Sequence, residues 1–167
     1  MNDIDVLGET LAIEQLKARY CRLLDTKDWA AWREIFTPDF VSDTSEVGGK
    51  LTVGVDNFIA FVRGALGKQS QKTVHMVHMP EIELTSETTA RGIWQLEDFV
   101  RFAFGLNMRG YGHYHETYVK IDGHWRIQSS KLTRLRADIV TPFFSIFISD
   151  RFKAFVARFS KKPIETK

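Results

Sequence analysis

The sequence predicts an α+β fold, with helices packed on one face of a strongly bent antiparallel sheet to make a cone. Two observations predict it. Apolar residues recur at helical spacing through most of the first 66 positions, and then at strand spacing from Thr73 to Leu135. The strand runs are separated by turn formers, among them Asp122-Gly123, a strong hairpin signal. Helices first and long strands afterwards is the α+β order, and a curved sheet folded over a helix leaves a pocket at its mouth.

The first helix is predicted over about Leu7 to Leu24, with Leu11, Ile13, Leu16, Tyr20, Leu23 and Leu24 as its stripe. A second is predicted over Trp29 to Phe36, stopped by Thr37-Pro38. Phe40 to Ser45 reads as a strand, Glu46 to Lys50 as a hairpin turn and Leu51 to Val53 as the return strand. Val55 to Leu66 reads as a third helix, with Asp56 near its start and Gly67 near its end.

Thr73 to Thr85 is rich in β-branched residues and carries two of the five histidines. Period two puts His75 and His78 on opposite faces, unless a bulge near Pro80 resets the count. His75 is predicted inward. Thr89 to Phe104 is a long strand with Gly92, Trp94, Leu96 and Asp98 on one face. Tyr111 to Ile121 is its predicted partner across a Gly105–Gly110 turn, and Trp125 onward forms the last strand, through Leu135. The tail, with Phe143, Phe144, Phe147, Phe152, Phe155 and Phe159, reads as a loop followed by an amphipathic helix. Residues 1–140 are expected to form the cone, and 141–167 an aromatic segment of the same domain.

A length of 167 residues suits one domain with a substantial core, and 44% hydrophobic content supports a globular chain. The net charge of +2 gives no field that argues for nucleic acid or membrane surfaces. No apolar run approaches the roughly 20 residues of a membrane helix. The lone Cys21 forms no internal disulfide and fits a reducing compartment, and no signal-peptide pattern follows Met1, so a cytoplasmic location is expected.

An inward histidine on a strand is more often a satisfied core residue than a base. Asp25 changes the balance, because a carboxylate at a helix C-terminus is disfavoured by the dipole and gains from a cationic or donor partner. Asp98 does so too, because an unpaired buried carboxylate is expensive. Arg134 and Arg136 fall on one face by simple alternation, where either is placed to pair with Glu97 or Glu116. His113 and His115, without a third ligand nearby, are a weak metal signal and read as outer-face residues.

Several motifs occur together in order: LDTKDW at 24–29, FTPDF at 36–40, TVHMVHM at 73–79, GIWQLED at 92–98 and YVKIDGHWRI at 118–127. Together they resemble the SnoaL-like branch of the nuclear-transport-factor-2-like superfamily, which includes scytalone dehydratase and the bile-acid 7-alpha-dehydratase. The resemblance implies a cone-shaped fold, no metal or organic cofactor, and a homo-oligomer, with a trimer favoured over a dimer. It implies His75 as catalytic base, Asp25 as the carboxylate that orients it, and Tyr20 and Asp98 as the polarising and acid groups. Arg134, Tyr114 and Trp94 are the expected substrate-binding residues. The position of the second scytalone dehydratase tyrosine is Thr44 here, and its extra histidine has no counterpart near Asp98 to Val100, which argues against scytalone as substrate. The expected activity is dehydration of a small hydrophobic cyclic hydroxy-ketone of polyketide, steroid or aromatic type. An isomerase or cyclase using the same pocket, and a non-catalytic protein like the dioxygenase β subunit, remain as alternatives. The same His–Asp pair in hexachlorocyclohexane dehydrochlorinase means that the pair does not fix the leaving group.

Overall fold

The computed structural model describes residues 3–103 and 105–149. Helix α1 runs Asp3–Thr26, longer than the apolar stripe alone predicts. Asp3 and Asp5 occupy its first turn, where negative charge complements the dipole. Ile13, Leu16, Tyr20, Leu23 and Leu24 are buried as expected, but Leu11 is 53% exposed. At 100° per residue Leu11 falls on nearly the opposite side of the helix from Ile13. The helix stops where Lys27 turns left-handed at φ 60°. Its N–H bonds to the Leu24 carbonyl and that of Asp28 to the Leu23 carbonyl, a Schellman closure without glycine.

Asp28 then caps α2, Trp29–Arg33, by accepting the Ala31 N–H. This helix is shorter than predicted. Pro38 holds the preceding residue extended, and the chain is already in strand β1 at Phe36–Asp43 instead of beginning at Phe40. A single 3₁₀ turn at Ser45–Val47 leads to β2, Leu51–Val53, and then to α3, Val55–Leu66.

The remaining long strands are β3 Thr73–Leu84, β4 Thr89–Ala103, β5 Leu106–Ile121 and β6 His124–Val140. Asp122 and Gly123 both take positive φ in the predicted hairpin turn. The turn expected over Gly105–Gly110 is much tighter, because Gly110 belongs to β5. A short β7, Ser145–Phe147, pairs with β6 where a loop was expected. The predicted tail helix, with Phe152, Phe155 and Phe159, lies outside the described residues.

The seven strands form one curved sheet in the order β2-β1-β6-β5-β4-β3, with β7 also on β6. The sheet is mixed, which corrects the expectation of an antiparallel one: β1 and β6 pair in parallel. Everything between them serves as the long crossover that a parallel pair requires. Nor does the sheet close into a barrel, since β2 and β3 remain its edges.

Bulges bend it. The β3–β4 register shifts between His78 and Glu81, with Met79 at φ 43°, as the sequence allowed near Pro80. On β6 the register shifts twice against β5. Inward positions therefore run Trp125 and Ile127, then Ser130, Leu132 and Arg134, then Ala137. For this reason Arg136 does not share the inward face of Arg134.

The core lies between the sheet and the helices. Tyr20, Trp32, Phe36, Phe40 and Phe58 make a connected aromatic cluster, with Phe36 and Phe40 ring centroids 4.4 Å apart. Phe40 is fully buried there. Phe40→Ala is expected to cost about 3–5 kcal/mol through lost burial and a residual cavity, measured as a lowered urea midpoint with an unchanged m-value.

Candidate active site

Asp25 sits in the last turn of α1 and reaches the edge strand β3. Its Oδ1 accepts from His75 Nδ1 at 2.7 Å and from the Thr73 hydroxyl at 2.8 Å; its Oδ2 accepts the His75 backbone N–H at 2.8 Å. Burial works against the Asp25 charge, but the hydrogen bonds from His75 and Thr73 outweigh it and hold its pKa below the ordinary value. These donors also answer the unfavourable end of the helix dipole. An ionised carboxylate only accepts, so His75 Nδ1 is the donor of this bond, and in the neutral ring the lone pair is then on Nε2.

His75 borders an open-mouthed cavity of about 310 Å³ lined by α1, α3, the 3₁₀ turn and the concave sheet. Tyr20, Tyr114, Asp98, Arg134 and Ser130 line the same cavity, and Leu24, Phe58, Val62, Val100, Phe102 and Met108 give it an apolar wall. Five of the expected site residues thus meet in one space, with Asp25 directly behind His75. Trp94 does not join them. It is buried in the core, where its Nε1–H donates to the Tyr118 hydroxyl at 2.7 Å.

Asp98 does not stand alone in an apolar wall. Arg134 Nη1 donates to its Oδ2 at 2.7 Å, and both side chains are at least nine-tenths buried. The pairing corrects the expectation that Arg134 meets Glu97 or Glu116, since Glu97 pairs with Arg109 and Glu116 with Lys17. Gly110 makes the contact possible. A Cβ there would lie 1.9 Å from Arg134 Nη1 and 2.5 Å from Asp98 Oδ1. The guanidinium crosses β5 over a position with no side chain. Asp98 Oδ1 is buried and has no hydrogen-bond partner among the described residues.

Tyr20 and Tyr114 stack edge to face, with centroids 5.8 Å apart. Burial, and after it the Glu116 carboxylate, pushes the Tyr20 phenol above its ordinary value; burial, and after it Tyr20, does the same for Tyr114. Both stay protonated, and their hydroxyls are hydrogen-bonded to each other, which leaves one O–H of the pair free to donate outward. Burial also pushes the Cys21 thiol up to about 11, which leaves it a poor nucleophile.

One group escaped the sequence reading. Lys17 and Glu116 form a buried ion pair at 2.6 Å, with neither side chain exposed. The signal was present: Lys17 falls within the stripe of Ile13, Leu16, Tyr20 and Leu24, and Glu116 shares strand parity with Tyr114 and Tyr118.

His113 lies on the outer face, as does His115, as predicted. Among the described residues no group of three or more His, Cys, Asp or Glu is arranged to hold a metal ion, and no helix is long and apolar enough to cross a membrane.

The family model for the SnoaL-like domain matches residues 5–131. The chain belongs to the SnoaL-like family. The wider nuclear-transport-factor-2-like architecture agrees with the curved, open sheet. A protein of Gibberella zeae named a probable cyclase is 25% identical over 136 residues, covering 74% of this chain and 89% of the relative. Among solved structures, a protein of Novosphingobium aromaticivorans provisionally named a scytalone dehydratase superposes with a TM-score of 0.74 at 23% identity, over 81% of this chain and 90% of that one. A type 2 hexachlorocyclohexane dehydrochlorinase superposes with a TM-score of 0.75 at 16% identity, over 84% and 95%. Proteins similar to this chain in sequence or in fold thus carry names of elimination and of cyclisation enzymes.

The clearance at Gly110 and the charge on Asp25 can each be tested by stability. Gly110→Ala is expected to drive Arg134 off Asp98 and to cost about 3 kcal/mol, the scale of a broken buried ion pair. Gly64→Ala, at an open helical position, should be neutral or stabilising by about 0.5–1 kcal/mol. Comparing the two unfolding midpoints checks both. Because the folded-state pKa of Asp25 is depressed, its stabilisation is complete above the unfolded value of about 3.9 and is lost as pH falls through the folded value. The stability gap between the native chain and Asp25→Asn should therefore be full at neutral pH and shrink below about pH 4, as read by thermal unfolding across pH.

Proposed function

We propose that the chain is a cofactor-independent lyase that removes water from a hydrophobic cyclic hydroxy-ketone. The observation that carries this reading is the His75–Asp25 hydrogen bond beside a largely apolar cavity that also holds two phenol donors and the Asp98–Arg134 pair.

His75 Nε2 takes the proton from the carbon next to the substrate carbonyl. Asp25 holds the ring in the required tautomer and stabilises the imidazolium, in the way a triad carboxylate does. The C–H electron pair moves to the carbonyl oxygen, where the hydrogen-bonded Tyr20–Tyr114 hydroxyl pair donates its free O–H to the developing enolate. The enolate then collapses, the new C=C bond forms and the C–O bond breaks. Arg134, steadied by Asp98, polarises the departing oxygen. The proton on His75 passes to that oxygen, so water leaves and the protein returns to its starting state.

A cyclase or isomerase is the second reading, supported by the relative in Gibberella zeae. It uses the same base and oxyanion donors but has no leaving group to assist.

A panel of cyclic hydroxy-ketones, followed by the absorbance of the enone product, tests the proposal. On a substrate that turns over, His75→Ala is expected to lower kcat/KM by about 10²–10⁴; full retention sinks the reading. Arg134→Met paired with Asp98→Leu separates the two reactions. A lyase loses about 10²-fold or more in kcat, whereas an isomerase keeps most of its rate.

A further inference from the structure

Behind the tyrosine wall lies the charge pair that the proposed reaction does not use. Lys17 Nζ sits 4.0 Å from the centroid of the Tyr20 ring and 3.6 Å from that of Tyr114. Glu116 Oε1 holds it at 2.6 Å and also accepts from the Ser130 hydroxyl at 3.0 Å. Glu116 Oε2 accepts from Tyr118, whose hydroxyl accepts from Trp94. Every oxygen of the carboxylate is therefore committed, and the ammonium is fixed against both phenol faces at once.

We propose that Lys17 is a positioning residue for the two cavity tyrosines: its ammonium, anchored by Glu116, fixes both rings and strengthens their linked hydroxyl pair as a donor to an anionic substrate oxygen. The inference rests on the reading of Tyr20 and Tyr114 as oxyanion donors. Two physical arguments support it. A cation on a ring face draws on the π electrons, most strongly in a desolvated site. The phenol O–H is left more positive and donates better. Second, a fully buried ion pair contributes little net stability, and well-packed apolar residues of similar volume often serve the fold equally well. Packing alone does not call for Lys17 here.

The test uses a double variant, Lys17→Met with Glu116→Gln, which removes the cation without stranding its partner. The amide oxygen that replaces Oε2 keeps the bond from Tyr118, and the amide N–H that replaces Oε1 donates to the Ser130 hydroxyl. Two probes of nearly the same shape are titrated calorimetrically at alkaline pH: para-nitrophenolate, which presents an oxyanion, and para-nitrotoluene, which does not. The native chain is expected to prefer the phenolate. The double variant should lose about tenfold in phenolate affinity while changing by about twofold or less for the toluene.

Equal losses for both probes overturn the inference in favour of a packing role, and an unchanged phenolate preference overturns it outright. A native chain with no phenolate preference overturns the oxyanion reading itself, and that outcome is visible before any substitution is made. Lys17→Arg supplies a second check that does not depend on the double variant folding. It keeps a cation on the rings and should keep the preference within about threefold; loss of the preference in a folded Lys17→Arg protein also counts against the inference.

Discussion

The structure depends on one carboxylate that joins two elements from opposite halves of the fold. Asp25 ends α1 and binds the hydroxyl of Thr73 together with the backbone and ring of His75 on β3. β3 is an edge strand, so part of its backbone has no neighbouring strand to bond. Asp25 takes one of those N–H groups. The same contact fixes the imidazole, so satisfying an N–H of the sheet edge and orienting the ring are a single interaction. This places the strand, the ring and the helix end in fixed relation and gives the cavity its polar corner.

The carboxylates that line or back the cavity each meet a donor. Asp25 meets His75, Asp98 meets Arg134 and Glu116 meets Lys17. No carboxylate of the three faces the apolar wall without a donor. Desolvation is the dominant penalty for such groups, and each partner comes from a different element. The elements are therefore tied together at the pairs as well as through the aromatic cluster. The cavity can stay open at its centre because its walls are held at these points.

Much of this was legible in the sequence, for identifiable reasons. Strand parity grouped Asp98 with Trp94 and Leu96, set Tyr114 opposite its flanking histidines and put His75 and His78 on opposite faces, because period two is strict within an uninterrupted strand; the resemblance chose His75 as the inward one. The Asp122-Gly123 turn was explicit. What parity could not reveal was where it resets: the two shifts on β6 separate Arg134 from Arg136, and no residue type there announces them. The parallel β1–β6 pairing is set by chain path, to which local periodicity is blind. Gly110 looked like a turn residue because its purpose, clearance for a guanidinium, lies on another strand. Trp94 had the right parity but lies farther along the strand than the cavity reaches. Lys17 was hidden by the habit of reading a lysine on a helix as solvent-facing.

The double shift of β6 has a consequence for how this protein can change. The strand is read in three separate phases, and only the middle one, Ser130 to Arg134, contributes to the cavity; Trp125 and Ile127 before it belong to the core, and Ala137 follows the second shift. The bulges act as boundaries of a five-residue cassette. Substitutions within it alter the chemistry presented to a ligand while the hydrophobic register on either side is kept. Leu132 also packs in the core and Arg134 holds Asp98, so any change to the ligand-facing side of this cassette is at the same time a change to the interior that supports it.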